Sequence, residues 1–377
     1  MTRLYRDVAF IGIALVLAAC SGNHPASLPT SSVQDASSAH VDSTAALPAY
    51  TFVALNNSPN GSAGWAQGAD KTTQGGNFVY SHGSCGKDCS FPIYHAVVWS
   101  GSGSTAVDIT PPLTYFPEAW VLGGTGSMLV GYGITNQGGY YGVPHALLWR
   151  GTTFTWKDLN PAGDNVSHAY AASGNFIVGS GAGTSGGSHA LLWNVTKLSS
   201  VTDLHPSSAY ASSEALGVKG AYQFGYAMNG AVSDAMFWNG TSASAVDLTT
   251  ASGASAARAW AGNAAGTLQA GCGVPSGGSV SHALIWKGTS HAVADLNPSG
   301  FSDSCAVAFY NGIEAGSGHV GGYLHALVWA GTAKSALDLE NTLPSGYTQS
   351  QATAIDSNGN VIGDVYNGTW HAAMWIP

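Results

Sequence analysis

Six histidines recur in one local setting, and a histidine with a carboxylate at a fixed interval is the raw material of acid–base catalysis or of metal binding. His95, His145, His189, His282, His325 and His371 each open a pentad that ends in tryptophan, as in HAVVW, HALLW and HALIW, and Asp234 takes the histidine's place in DAMFW. Asp108, Asp158, Asp203, Asp295 and Asp338 follow the first five histidines after thirteen or fourteen positions, and Asp247 follows Asp234 after thirteen. One histidine per repeat, at one structural position, spreads the imidazoles apart instead of converging them on an ion, so neither a metal nor a cofactor is expected. Beyond Cys20 there are four cysteines, an even number that reads as disulfides in an oxidising compartment. Cys85 and Cys89 share the glycine-rich segment GSCGKDC and are expected to bridge locally; His82 and His95 nearby do not complete a metal-ligand spacing. The sequence holds no Ser-His-Asp order, nucleophile elbow, phosphate loop or zinc-protease motif.

The elements that position these residues follow from the period. Trp99, Trp149, Trp193, Trp238, Trp286, Trp329 and Trp375 are separated by 50, 44, 45, 48, 43 and 46 residues, the length of a four-stranded propeller blade. The Trp-to-Asp interval is nine residues in five repeats and ten in one, which describes a hairpin of fixed register. That register sets His and Asp nearly opposite one another, so a His–Asp hydrogen bond is expected in each outer hairpin, with the tryptophan on the same face. In the fourth unit two carboxylates would meet, and the hairpin is expected to relax or the two acidities to separate.

Two further strands precede each motif, clearest as Gln351 to Asp356 and Asn360 to Tyr366. The seventh unit lacks a fourth strand after Trp375, whereas YTFVALNN at 50–57 resembles one, so an all-β, seven-bladed β-propeller closed by its N-terminal strand is expected. Cys272 then ends the second strand of blade five and Cys305 begins the first strand of blade six, close enough to be joined.

The residue before a recurrent alanine at the start of each inner strand is Trp65, Glu118, His168, Glu214, Arg258, Cys305 or Gln351, which places a polar ring at one mouth of the central channel. Glu118, Glu214 and His168 would be its acid–base groups if the chain were a glycan-active hydrolase or lyase; otherwise the ring is a solvated rim. The connections on that face vary in length and carry Tyr115, Phe116, Tyr140, Tyr141 and Tyr347, so a ligand-binding face is expected there.

The segment AIDSNGNVIGDVYNGTWHAAMW, Ala354 to Trp375, resembles the signature of the HAF-repeat family of probable extracellular repeat proteins, and weaker copies cover residues 50–377. The chain uses Leu, Val, Met or Ala where that family prefers Phe. The resemblance implies extracellular repeat architecture and supplies no catalytic residue. Residues 1–19 read as a secretory signal, with Arg3 and Arg6 before the apolar run Val8 to Val16. The ending Leu17-Ala18-Ala19-Cys20 resembles the lipobox of bacterial lipoproteins, which implies acylation of Cys20 and a membrane anchor there; Ser21 in place of aspartate implies the outer membrane. Residues 20–48 are a Ser/Ala/Pro tether and residues 49–377 the propeller. Removing the signal takes the formal charge from -9 to -10, which argues against nucleic acid as a partner. The expected function is ligand or partner binding without catalysis, with a glycan or an envelope protein as the partner.

Overall fold

A computed structural model describes residues 46–55, 64–70, 72–86, 89–101, 106–125, 128–136, 142–182, 186–290 and 292–377. They form seven four-stranded antiparallel sheets arranged as a β-propeller. Blade two shows the plan from the channel outwards: Glu118–Thr125, Met128–Ile134, Pro144–Arg150 and Thr155–Asp158. Six sheets follow the chain in this order. The seventh is built from Gln349–Ile355, Val361–Tyr366 and Trp370–Ile376, with Thr51–Ala54 as its outer strand. That strand pairs Thr51 with Ile376 and Ala54 with Ala373, and Leu55 N–H adds a bond to the Ala372 carbonyl. The paired strand is shorter than the expected 50–57, and residues 56 and 57 lie outside the described residues.

Two recurrent residues explain why each repeat folds this way. The motif tryptophan of every blade is fully buried. It packs on the blade before it: Trp149 joins Ala96, Val98 and Ile109 of blade one, and its indole N–H donates to the Ile109 carbonyl at 2.8 Å. Truncating such a residue costs about 3–5 kcal/mol. The second is a glycine in each second strand, at 76, 131, 179, 225, 271, 316 and 363. A Cβ there would lie 1.8–2.0 Å from the carbonyl oxygen of the neighbouring inner-strand residue. Only glycine permits this approach, and one or two residues further on the inner strand bulges.

Blade one departs from the others. Its second and third strands, Thr73–Gly86 and Cys89–Trp99, remain paired out to Gly86 opposite Cys89. Residues 83–86 and 89–92 of the glycine-rich segment are therefore the far end of a long hairpin, because glycine and serine accept strand geometry once each backbone finds a partner. The side chains of Cys85 and Cys89 lie outside the described residues, and so do residues 1–45, including Cys20.

Candidate functional site

The histidines and aspartates form clasps at the edge of the ring. Nδ1 of His95, His145, His189, His282 and His325 lies 2.7–2.9 Å from Oδ2 of Asp108, Asp158, Asp203, Asp295 and Asp338. The pairing is diagonal instead of directly opposite: Asp108 faces Val97, two residues past His95 on the same face. The other carboxylate oxygen explains the offset. It accepts the N–H two residues later, as at Thr110, Asn160 and Asn297 (2.8–2.9 Å), and turns the chain towards the next blade. Burial pushes the Asp108 carboxyl up, but the bonds from His95 and Thr110 outweigh it and hold the group below its ordinary range.

Blade four does not relax. Met236 faces Asp247 in the register of the other blades, while Asp247 accepts from the Thr249 and Thr250 N–H groups and from the Thr250 hydroxyl, and Asp234 is buried. In blade seven His371 Nε2 meets Asn367 Oδ1 at 2.9 Å.

At the channel mouth the structure corrects one member of the expected ring. Gly131 packs on the carbonyl of Trp120, as Gly76 does on that of Trp65, so Trp120 and not Glu118 is the blade-two equivalent. Glu118 stands two residues nearer the blade-to-blade link and accepts the Tyr94 N–H at 3.3 Å. The interval from ring residue to glycine is eleven residues in five blades, including 120 to 131, but Val121 stands where the other six blades have alanine.

Ring residues are engaged with the second strand of the neighbouring blade. Tyr132 meets His168 edge-on with ring centroids 4.8 Å apart, and the Arg258 guanidinium lies 4.4 Å over the Tyr226 ring. Cys272 and Cys305 are joined as a disulfide with Cα atoms 4.8 Å apart. At the seam between the last and first blades, Asp364 accepts from the Ala66 N–H and from Gln351 Nε2, both at 2.8 Å. Trp65, Tyr94, Trp120 and Tyr132 continue the circuit as an aromatic cluster with centroids 4.7–5.9 Å apart, edge-on at Trp65–Tyr94 and stacked at Trp120–Tyr132.

These contacts set the acidities. Burial lowers the His168 imidazole to about 4, so it is neutral at pH 7. Burial pushes the Glu214 carboxyl up, against the opposing pull of Arg258 and of hydrogen bonds from Tyr226 and Tyr170. Burial likewise raises Tyr132, Tyr170 and Tyr226. Glu118 and Glu214 thus belong to different neighbourhoods, the first beside Tyr94 and Tyr132, the second between Tyr170, Tyr226 and Arg258. Among the described residues no three His, Cys, Asp or Glu side chains gather in a way that would hold a metal ion.

Of the aromatics expected on the variable face, Tyr115 is exposed and its ring lies 5.5 Å from that of Trp156. Phe116 is buried in the core between blades one and two, at the end of a turn in which the Tyr115 and Phe116 N–H groups both donate to the Pro112 carbonyl. Tyr347 is half-buried against Phe52 of the closing strand. Tyr140 and Tyr141 lie outside the described residues. Two exposed aromatics were missed: Tyr80, stacked on His95 at 3.9 Å, and Tyr323, which follows the turn glycines Gly321 and Gly322.

No protein-family model matches the chain, and no curated protein does. Among solved structures it is similar to the β-propeller domain of the Trilobed protease from Pyrococcus furiosus (TM-score 0.53, 8% identity, covering 83% of this chain and 95% of that one). It is also similar to a puromycin hydrolase (TM-score 0.53, 8% identity, 83% of this chain, 51% of that one). A third likeness is to the acylaminoacyl peptidase of Pyrococcus horikoshii (TM-score 0.51, 9% identity, 82% and 52%). TolB from Acinetobacter baumannii aligns with a TM-score of 0.42 at 13% identity over 74% of this chain and 62% of that one. The chain therefore spans 62% of the TolB chain and about half the length of the hydrolase and the peptidase. At these identities the likeness shows the fold alone. The Trilobed protease propeller is described as having an open velcro topology, whereas here Thr51–Ala54 completes the seventh sheet.

Proposed function

We propose that this chain is a cell-envelope or extracellular lipoprotein whose propeller is a non-catalytic binding scaffold, with a glycan or an envelope protein as its ligand. The observation that carries this reading is the engagement of the mouth groups with one another: His168 is neutral, Glu214 is held by Arg258 and two phenols, and Glu118 is turned to Tyr94. A glycosidase needs two carboxylates facing one substrate. The face that joins second to third strands and blade to blade has the variable connections and the exposed rings of Tyr80, Tyr115 and Tyr323, and rigid exposed aromatics stack on a ligand at little entropic cost. Fourth strands run from the short-turn face to this one, so a tether from an acylated Cys20 would enter at Thr51 on the opposite side and leave the variable face directed away from the membrane. The resemblance to HAF-repeat proteins supports the same extracellular setting.

A soluble protein of residues 46–377 screened against glycans and envelope polymers tests this. Binding without turnover is expected, with Tyr115→Ala weakening it by about tenfold, roughly 1.4 kcal/mol. Tyr140→Ala, Tyr141→Ala and Glu118→Ala are expected to weaken it as well, whereas Lys287→Ala on the short-turn face leaves it unchanged. Turnover of a glycan that disappears in Glu214→Gln would overturn the reading. In the full chain, Cys20→Ser is expected to abolish metabolic lipid labelling.

A further inference from the structure

Among the described residues, four junctions between neighbouring blades are tied by a serine hydroxyl, three of them in the same way. Oγ of Ser167, Ser304 and Ser350 accepts the motif-alanine N–H of the preceding blade, from Ala146, Ala283 and Ala326, at 2.9–3.0 Å. The same hydroxyl donates its proton to an oxygen in the link before it: Asn160 Oδ1 at 2.6 Å, Asn297 Oδ1 at 2.6 Å, or Glu340 Oε2 at 2.5 Å. Between blades three and four the serine is Ser213, which accepts the Ala190 N–H at 3.0 Å, but the group in the acceptor's place is Nδ1 of His205 at 2.9 Å.

The substitution changes the chemistry. An amide oxygen accepts at every pH, whereas an imidazole nitrogen accepts only while it carries no proton. Ser213 Oγ accepts the Ala190 N–H, and when its own hydroxyl proton is directed to Nδ1, as the equivalent serines direct theirs to asparagine or glutamate oxygens, His205 is the neutral tautomer protonated on Nε2. Ser213 is buried. Once Nδ1 gains a proton, two donors face the serine oxygen and its hydroxyl loses its partner, a loss of about 1–3 kcal/mol for a buried group.

The surroundings also bear on the protonated ring. His205 stacks on His189 at 4.0 Å and 7°, so protonating both would place like charges face to face. Asp203 pairs with His189, and Asp164 lies near both. Burial is the largest influence on His205 and His189 the next; both disfavour the cation, while Asp203 and the backbone at Tyr210 and Ser207 favour it. The net direction is below the ordinary histidine range, so this contribution to stability is complete at neutral pH and is lost as pH falls through about 6.5 and below.

We propose that the junction of blades three and four is an acid-released clasp, closed by the neutral imidazole of His205 and opened when that ring takes up a proton. Ser213 is followed in sequence by Glu214, so the release acts on the channel mouth at the Glu214–Tyr226–Arg258 group.

Amide hydrogen exchange of the whole domain provides the test, with Ala146 and Ala283, whose serines donate to asparagines, as controls in the same molecule. Between about pH 7.5 and about pH 5.5, after correction for intrinsic rates, protection of Ala190 is expected to fall about tenfold while the two controls hold. His205→Asn, which copies Asn160, is expected to remove the acid step at Ala190, and nitrogen shifts at about pH 7.5 should show His205 Nδ1 unprotonated. An Ala190 that follows Ala146 at both pH values, an acid step that survives in His205→Asn, or a proton on Nδ1 at neutral pH would each overturn the proposal.

Discussion

Glu314 stands where three other blades have Gln74, Gln223 and Gln269, each opposite its motif tryptophan, and it accepts the same turn N–H as two of them. Gln74 and Gln223 accept the turn N–H of Gly101 and Gly240 at 3.1 and 2.7 Å, and Glu314 accepts that of Gly331 at 2.8 Å. Burial pushes its carboxyl up to about 7. A carboxyl raised in the folded state binds more protons there than in the unfolded chain. Its stabilising contribution is therefore full below about 4.5 and is lost as pH rises through about 7. Glu314→Gln is expected to raise stability at about pH 8 by roughly 1–3 kcal/mol and to converge with the parent below about pH 5 in thermal unfolding. Equal curves at both pH values would show that the side chain is not buried as a neutral group. At this scale the sequence was legible where a residue type repeats and opaque where neighbours decide. The His–Asp–Trp triplets could be read directly, whereas the burial of Phe116 depends on how one link turns, and Trp120 was hidden because a valine replaces the alanine beside it.

Strands in this protein are specified by close approach as much as by hydrophobic pattern. Gly131 to alanine would place a methyl 1.8 Å from the Trp120 carbonyl, so the inner hairpin of blade two would have to part. Gly131→Ala is expected to lower stability by more than about 3 kcal/mol, while Gly101→Ser in an open turn costs about 1 kcal/mol or less; denaturant unfolding compares the two. The disulfide spans 33 positions and ties the second strand of blade five to the first of blade six. Cys272→Ser with Cys305→Ser is expected to cost about 2–4 kcal/mol, read by unfolding with and without reductant, and a double variant as stable as the parent would contradict it. The pairing was legible because both cysteines fall at equivalent ends of neighbouring strands. The long hairpin of blade one was not, since glycine and serine carry no alternating pattern to mark a strand.

For the molecule as a whole, seven blades and their closure were readable from the period of the tryptophans, from a lone strand before the first unit and from a seventh unit that is one strand short. What the sequence left open is the use of the mouth, because a ring of charged residues looks alike whether it meets a ligand or the next blade. Removing residues 46–57 is expected to leave Trp370–Ile376 as an exposed edge, with a lower melting temperature and self-association in scattering. The central claim is that Glu214 and Arg258 join blades instead of acting on a substrate. Unfolding of Glu214→Ala, Arg258→Ala and the double variant in one thermodynamic cycle tests it most directly. Each single change is expected to cost about 1–3 kcal/mol, with a coupling of about 1 kcal/mol between them. Single variants as stable as the parent or more stable, the behaviour of side chains held in place for catalysis at the expense of folding, would contradict it.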